Sequence, residues 1–116
     1  MKDNLIAKLS MDFALRIVNM YKYLKEEKQE TVMSKQVLRS GTSIGANIFE
    51  SEQAQSKADF LSKLYIALKE SNETKYWLKL LYRSEYIDQE AYDSINNDLK
   101  IILGTLVNII KKTKGN

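Results

Sequence analysis

The stretch Arg39-Ser-Gly-Thr-Ser-Ile-Gly-Ala-Asn-Ile-Phe-Glu50 decides how this chain folds. Its two glycines are poor helix formers, and each costs about 1 kcal/mol relative to alanine. Close approach of a neighbouring helix would offset that cost, because Gly41-x-x-x-Gly45 leaves a shallow groove. We therefore predict a buried helix with Ser40, Ser43 and Asn47 hydrogen-bonded at the contact. Residues spaced alternately by four and three lie on one face of a helix. This spacing predicts a buried face that comprises Val37, Gly41, Ile44, Ile48 and Ser51.

The composition favours an all-α protein with one domain over residues 1–116. The chain has no proline and only four glycines, whereas sheets and tight turns usually need both residue types. Cysteine and histidine are also absent. Their absence removes thiolate metal sites, the usual zinc ligand and the usual general base.

Charge and hydropathy indicate a soluble, cytoplasmic protein without a membrane partner. No apolar run approaches the ~20 residues of a membrane span, and charged residues interrupt the first residues where a signal peptide would be apolar. The net charge of +3 permits binding to nucleic acid without requiring it.

Four amphipathic segments predict an antiparallel, up-down-up-down four-helix bundle. In the fourth segment the expected core stripe ends at Ile109, with a second stripe beside it. The predicted helices run over about 3–27, from Thr31 or Ser34 to about Gln53, from the capping box Ser56-x-x-Asp59 to about Arg83, and from Asp88 onward, with Asp3 and Asp88 as N-caps of the first and fourth.

Antiparallel pairing of the second and third helices brings their small-residue centres to one level, because both rise 1.5 Å per residue. Ser40 then lies opposite Ser71, and Arg39 lies within a turn of Glu70 and Glu73. We predict a buried or half-buried ion pair at this point.

The motifs that resemble catalytic or metal sites are incomplete. Gly41-x-x-x-Gly45 lacks the lysine of a phosphate-binding loop, and Glu70-x-x-Glu73 lacks the histidine of di-metal bundles. We therefore predict no catalytic residue, no metal and no cofactor, and we expect a protein that is not an enzyme.

Surplus apolar residues predict contact between subunits, because a monomeric bundle needs only one buried face per helix. The alternative is a thick bundle with surface aromatics. The predicted interface comprises Phe49 on the second helix, Ile66, Tyr76, Trp77 and Leu80 on the third, and Leu103, Val107 and Ile110 on the fourth.

Lysines gather at one end of the predicted bundle, and the last 16 residues contain no acidic residue. Such a cluster could hold phosphates, but lysines in a last helical turn are also ordinary partners of the helix dipole. The predicted nucleic-acid-binding residues are Lys2, Lys8, Lys57, Lys63, Lys111, Lys112 and Lys114.

The central motif resembles the bacterial four-helix-bundle family named for proteins encoded in intervening sequences of 23S ribosomal RNA genes. The resemblance covers about half of the chain closely. The matching residues are Arg39, Ser40, Ser43, Ile44, Asn47, Ile48 and Glu50, then Ser56, Asp59, Phe60, Leu64, Ala67, Leu68 and Glu73.

This resemblance implies binding partners that the amino-acid composition alone does not indicate. The family includes accessory proteins of diversity-generating retroelements, which assemble as homopentamers and bind nucleic acid and a reverse transcriptase. The chain departs from the family pattern at Phe49, where other members carry alanine or arginine, and at Ser51. We expect a homo-oligomer, most simply a pentamer, that binds RNA or DNA. The alternative is a scaffold that docks a partner protein, such as a reverse transcriptase, through its apolar surfaces.

Overall fold

The computed structural model describes residues 5–115 and contains four helices joined by short connections. Each helix packs against the next one along the chain, and α4 also packs against α1. The predicted antiparallel four-helix bundle is therefore confirmed, and the described residues include no strand. Asp3, the predicted first N-cap, lies outside them. The helices are α1 (Leu5–Glu26), α2 (Met33–Ser51), α3 (Lys57–Arg83) and α4 (Gln89–Gly115).

The core follows the predicted face of α2 and departs from the predicted stripe near the end of α4. All five residues predicted for the buried face of α2 are buried. In α4, however, Ile110 is buried and Ile109 is only half-buried. A straight helix has 3.6 residues per turn, so its core face drifts by ~20° per heptad relative to a strict alternation of four and three. This drift moves the last core position from Ile109 to Ile110.

The glycine face of α2 packs against α1. A Cβ atom on Gly41 would lie 2.8 Å from Ile17 Cγ1, which is shorter than the contact distance of two non-bonded carbon atoms. A Cβ on Gly45 would lie 3.4 Å from the backbone oxygen of Ser10, an ordinary contact. Gly41 is therefore the position at which this helix pair excludes any side chain.

A buried hydroxyl pair joins α2 to α3 beside the glycine contact. Thr74 Oγ1 donates to Ser40 Oγ at 2.9 Å, and both residues are fully buried. Ser43 and Asn47, also predicted to be hydrogen-bonded at the contact, bond to each other and not to α3. The Asn47 side chain donates to the Ser43 carbonyl oxygen within α2, at 2.9 Å, because both residues lie at the edge of the contact rather than at its centre.

Two of the predicted N-caps are present and one is replaced. The hydroxyl of Ser56 accepts from the Asp59 amide at 3.0 Å, and Asp88 accepts from the Ala91 amide at 2.8 Å. At α2, neither Thr31 nor Ser34 is the cap.

The carboxylate of Glu30 caps α2. It accepts from the backbone amides of Val32, Met33 and Ser34 at 3.1, 2.9 and 2.7 Å. Gln29 adopts a positive φ of 51°, which turns the chain so that Glu30 reaches these amides. The residue is 7% exposed, and its three bonds satisfy amides that a helix start leaves unpaired.

Candidate interaction surfaces

Arg39 links α2 to α3 through two carboxylates. Its Nη1 lies 3.3 Å from Glu70 Oε1, and its Nη2 donates to Glu73 Oε2. The indole nitrogen of Trp77 donates to the same Glu73 oxygen at 3.0 Å. The predicted ion pair is thus present, although the Arg39 side chain is about half exposed.

The network shifts the pKa of both partners. Hydrogen bonds from Arg39 and then Trp77 lower the pKa of Glu73, and the hydrogen bond to Glu73 raises the pKa of Arg39. Glu73 therefore keeps its charge to a lower pH than an isolated glutamate does. Both carboxylates form part of the α2–α3 contact, where the single positive charge of Arg39 offsets one of their two negative charges.

The bundle topology brings the predicted lysines to one end, which we call the lysine end. The starts of α1 and α3 and the ends of α2 and α4 meet there. Lys2 lies outside the described residues. The described lysines of this end are Lys8, Lys57, Lys63, Lys111, Lys112 and Lys114.

Lys8, Lys63 and Lys114 each lie close to a side chain of the same molecule. Lys8 lies 2.7 Å from Asp12, which raises the pKa of the lysine. Lys63 lies 3.3 Å from Glu50, and Lys114 donates to the Tyr65 hydroxyl at 3.0 Å. Of these contacts, the Lys8–Asp12 pair is largely exposed, and exposed ion pairs contribute little to stability.

The residues predicted for a subunit interface differ in exposure. Phe49 and Tyr76 are 68% and 59% exposed, and Ile66 is also exposed. Trp77, Leu80, Leu103 and Val107 are half-buried. Ile110 is the exception, because the drift of the α4 core face buries it within the bundle. Most of its side chain therefore packs within the monomer, and its remaining 6% exposure lies at a hollow between α3 and α4.

The structure adds an apolar groove between α1 and α2 that sequence patterning did not single out. Small residues of both helices, including Ala14 and Ala46, form its walls, and Met11 and Phe49 stand at its edge. Met11 and the nearby Leu15 are 61% and 56% exposed. In the sequence, Met11 and Leu15 lie beside the predicted core stripe of α1. Apolar residues in such positions are usually interpreted as a wider buried face, so the groove was not predicted.

Neither a metal cluster nor a membrane span is present in the described part of the chain. Residues 5–115 contain no group of three His, Cys, Asp or Glu side chains that could hold an ion. Within the same range, none of the helices combines the length and the apolar character needed to cross a bilayer.

Fold and surfaces thus define a small antiparallel helical bundle with exposed apolar and basic surfaces. The family model described as 23S rRNA-intervening sequence protein matches residues 2–108, and the chain belongs to this family. A crystal structure from Bacteroides thetaiotaomicron, described as a protein with unknown function from the S23 ribosomal protein family, is 64% identical. The match covers 92% of this chain and 99% of that one, with a TM-score of 0.91. Among curated proteins, no significant match is found.

Proposed function

We propose that this chain is a non-enzymatic, self-assembling bundle that binds the phosphate backbone of RNA or DNA at its lysine end. The observation that carries the proposal is the topology, which gathers lysines from α1, α3 and α4 at one end of the molecule. Assembly of several copies multiplies the modest net charge of +3. The summed field attracts a polyanion more strongly than one copy does.

Binding of lysines to phosphates depends on the charge of the nucleic acid and not on its base sequence. The described residues contain no β-sheet carrying aromatic and basic residues and no side-chain cluster that could hold the zinc ion of a recognition module. Affinity should therefore depend weakly on base sequence and steeply on salt. The expected slope is about −0.7 per phosphate contacted on a single strand.

A mobility-shift titration at two salt concentrations tests the proposal. Replacing Lys57 and Lys112 with glutamate should weaken binding to a single strand and reduce the salt slope by about 1.4, since two contacts at ~0.7 each are lost. The matched control replaces Lys25 and Lys35 at the opposite end, with the same change in net charge. Absence of binding by the parent at low salt would refute phosphate binding, as would equal losses in both variants.

Docking of a partner protein is the second candidate function. Tyr76 packs edge-on against Trp77, with ring centroids 5.0 Å apart, and stays largely exposed. Aromatic residues of this kind are enriched at the centres of protein interfaces. A parent protein that assembles but binds no nucleic acid at low salt would favour this candidate.

A further inference from the structure

We propose that the Phe49 side chain of one copy inserts into a hollow between α3 and α4 of the next copy. The inference rests on the proposed self-assembly and names the two surfaces that meet. The hollow is lined by Tyr65, Leu68, Val107, Ile110, Lys111, Lys114 and Gly115.

Phe49 is the projecting side of this contact. It lies two residues before the end of α2 and is 68% exposed, more than any other aromatic residue described. Glu50 and Glu52 line the groove beside it, which contains no lysine or arginine, and Glu50 also lies 3.3 Å from Lys63 of α3. A surface complementary to an exposed aromatic ring beside two carboxylates combines an apolar cavity with positively charged residues at its edge.

The hollow between α3 and α4 has these properties. Its volume is about 520 Å³, well above the ~150 Å³ that suffices for a benzene ring in an apolar cavity. Leu68 and Val107 provide apolar walls, and Lys111 and Lys114 stand at its edge without any acidic residue among the lining. Tyr65 adds an aromatic surface, already in contact with the Lys114 ammonium group.

Position along the bundle also matches. Phe49 is two residues from the end of α2, and Lys111 is four residues from the end of α4, so both lie within about 6 Å of the lysine end at 1.5 Å per residue. Two copies placed side by side in the same orientation therefore bring the ring to the level of the hollow. Glu50 and Glu52 then face Lys111 and Lys114.

The two surfaces lie on opposite faces of the bundle. Helix α1 packs against α2 and α4 but not against α3, so the α1–α2 face and the α3–α4 face are opposed. A contact between two different surfaces is head-to-tail, and it propagates into a closed ring or a filament. It also assigns Lys111 and Lys114 to the subunit contact, which leaves Lys8, Lys57, Lys63 and Lys112 for phosphate.

Mixing two assembly-deficient variants tests this geometry by light scattering after size exclusion. Phe49→Asp removes the ring, and the double variant Lys111→Glu with Lys114→Glu reverses the rim of the hollow. All three positions are exposed, so both proteins should fold, and Val107→Arg provides a second block of the hollow. Each variant alone should run at the monomer mass of 13.4 kDa. An equimolar mixture should form heterodimers, because each partner retains one intact surface.

Several outcomes would overturn the inference. Phe49→Asp could assemble like the parent, or the mixture could remain monomeric. The control Ile101→Asp removes another exposed apolar side chain of α4 and should leave assembly unchanged; equal loss in this control would also refute the contact. A monomeric parent, by contrast, would refute the proposed self-assembly itself.

Discussion

Gly41 shows how one missing side chain fixes the distance between two helices. Alanine would normally stabilise a helix interior by about 1 kcal/mol relative to glycine. At this position the added Cβ would overlap Ile17, a fully buried side chain that would have to shift.

We predict that Gly41→Ala lowers the free energy of unfolding by about 1–2 kcal/mol, since overpacking a core costs ~1–3 kcal/mol. Gly104→Ala is the matched control, because nothing lies within 4 Å of a Cβ there. It should raise the same quantity by about 1 kcal/mol. Urea unfolding at one protein concentration measures both changes. A Gly41→Ala protein more stable than the parent would mean that the helices do not touch at this point.

Arg39 and Glu73 give the fold a predictable response to acid. The folded-state pKa of Glu73 is lowered, so its contribution is present above the ordinary carboxyl pKa of about 4. It is lost as the pH falls through the folded-state pKa. Because Arg39 is half exposed, solvent limits the strength of the pair.

We predict that Arg39→Gln lowers the free energy of unfolding by about 1 kcal/mol near pH 7, because it leaves Glu73 and the mostly buried Glu70 without their cation. This difference should shrink below pH 4. Trp77 is the one tryptophan of the chain and bonds Glu73, so its fluorescence reports the titration directly. The midpoint pH of this fluorescence titration should be higher in Arg39→Gln than in the parent protein. It should be unchanged in the control Lys75→Gln. An unmoved midpoint in Arg39→Gln would contradict the assigned cause of the shift.

At the scale of the helices, the sequence predicted which face is buried better than where each helix begins or ends. The buried face of α2 and the N-caps Ser56 and Asp88 follow from residues close together in the sequence, so residue spacing alone was sufficient to predict them. The Glu30 cap was missed because it accompanies a left-handed conformation of Gln29, which residue spacing does not reveal. The α4 stripe was placed one residue early at its end because a strict alternation ignores the drift of a straight helix.

The end of α3 carries a strained residue. Glu85 has a φ of 70°, and the bonds Glu85 N–Tyr82 O and Tyr86 N–Leu81 O at 3.0 and 2.9 Å form the helix-ending pattern that favours glycine.

We predict that Glu85→Gly raises the free energy of unfolding by about 0.5–1 kcal/mol, since a side chain in this conformation costs of order 1 kcal/mol or more. The control Glu52→Gly makes the same replacement at a φ of −70° and should be neutral or destabilising. Thermal unfolding compares the two. Equal effects of both replacements would show that backbone strain at Glu85 is not the cause.

At the scale of the whole molecule, the sequence predicted which residues are exposed and apolar but not how they are grouped. Phe49 was predicted as an interface residue from the surplus of apolar side chains. Its position beside a groove, level with a hollow on the opposite face, follows only from the packing of all four helices. The same holds for part of the lysine end, where the pairing of Lys63 with Glu50 and of Lys114 with Tyr65 depends on side-chain reach between helices.

Self-assembly is the claim on which both the summed charge and the proposed subunit contact depend. The most direct test is the mass of the parent protein by light scattering after size exclusion, at micromolar concentration and moderate salt. A mass of several times 13.4 kDa, constant over a tenfold dilution, is the predicted result. A mass of 13.4 kDa throughout would contradict it and leave the exposed Phe49 without a partner surface on a second copy.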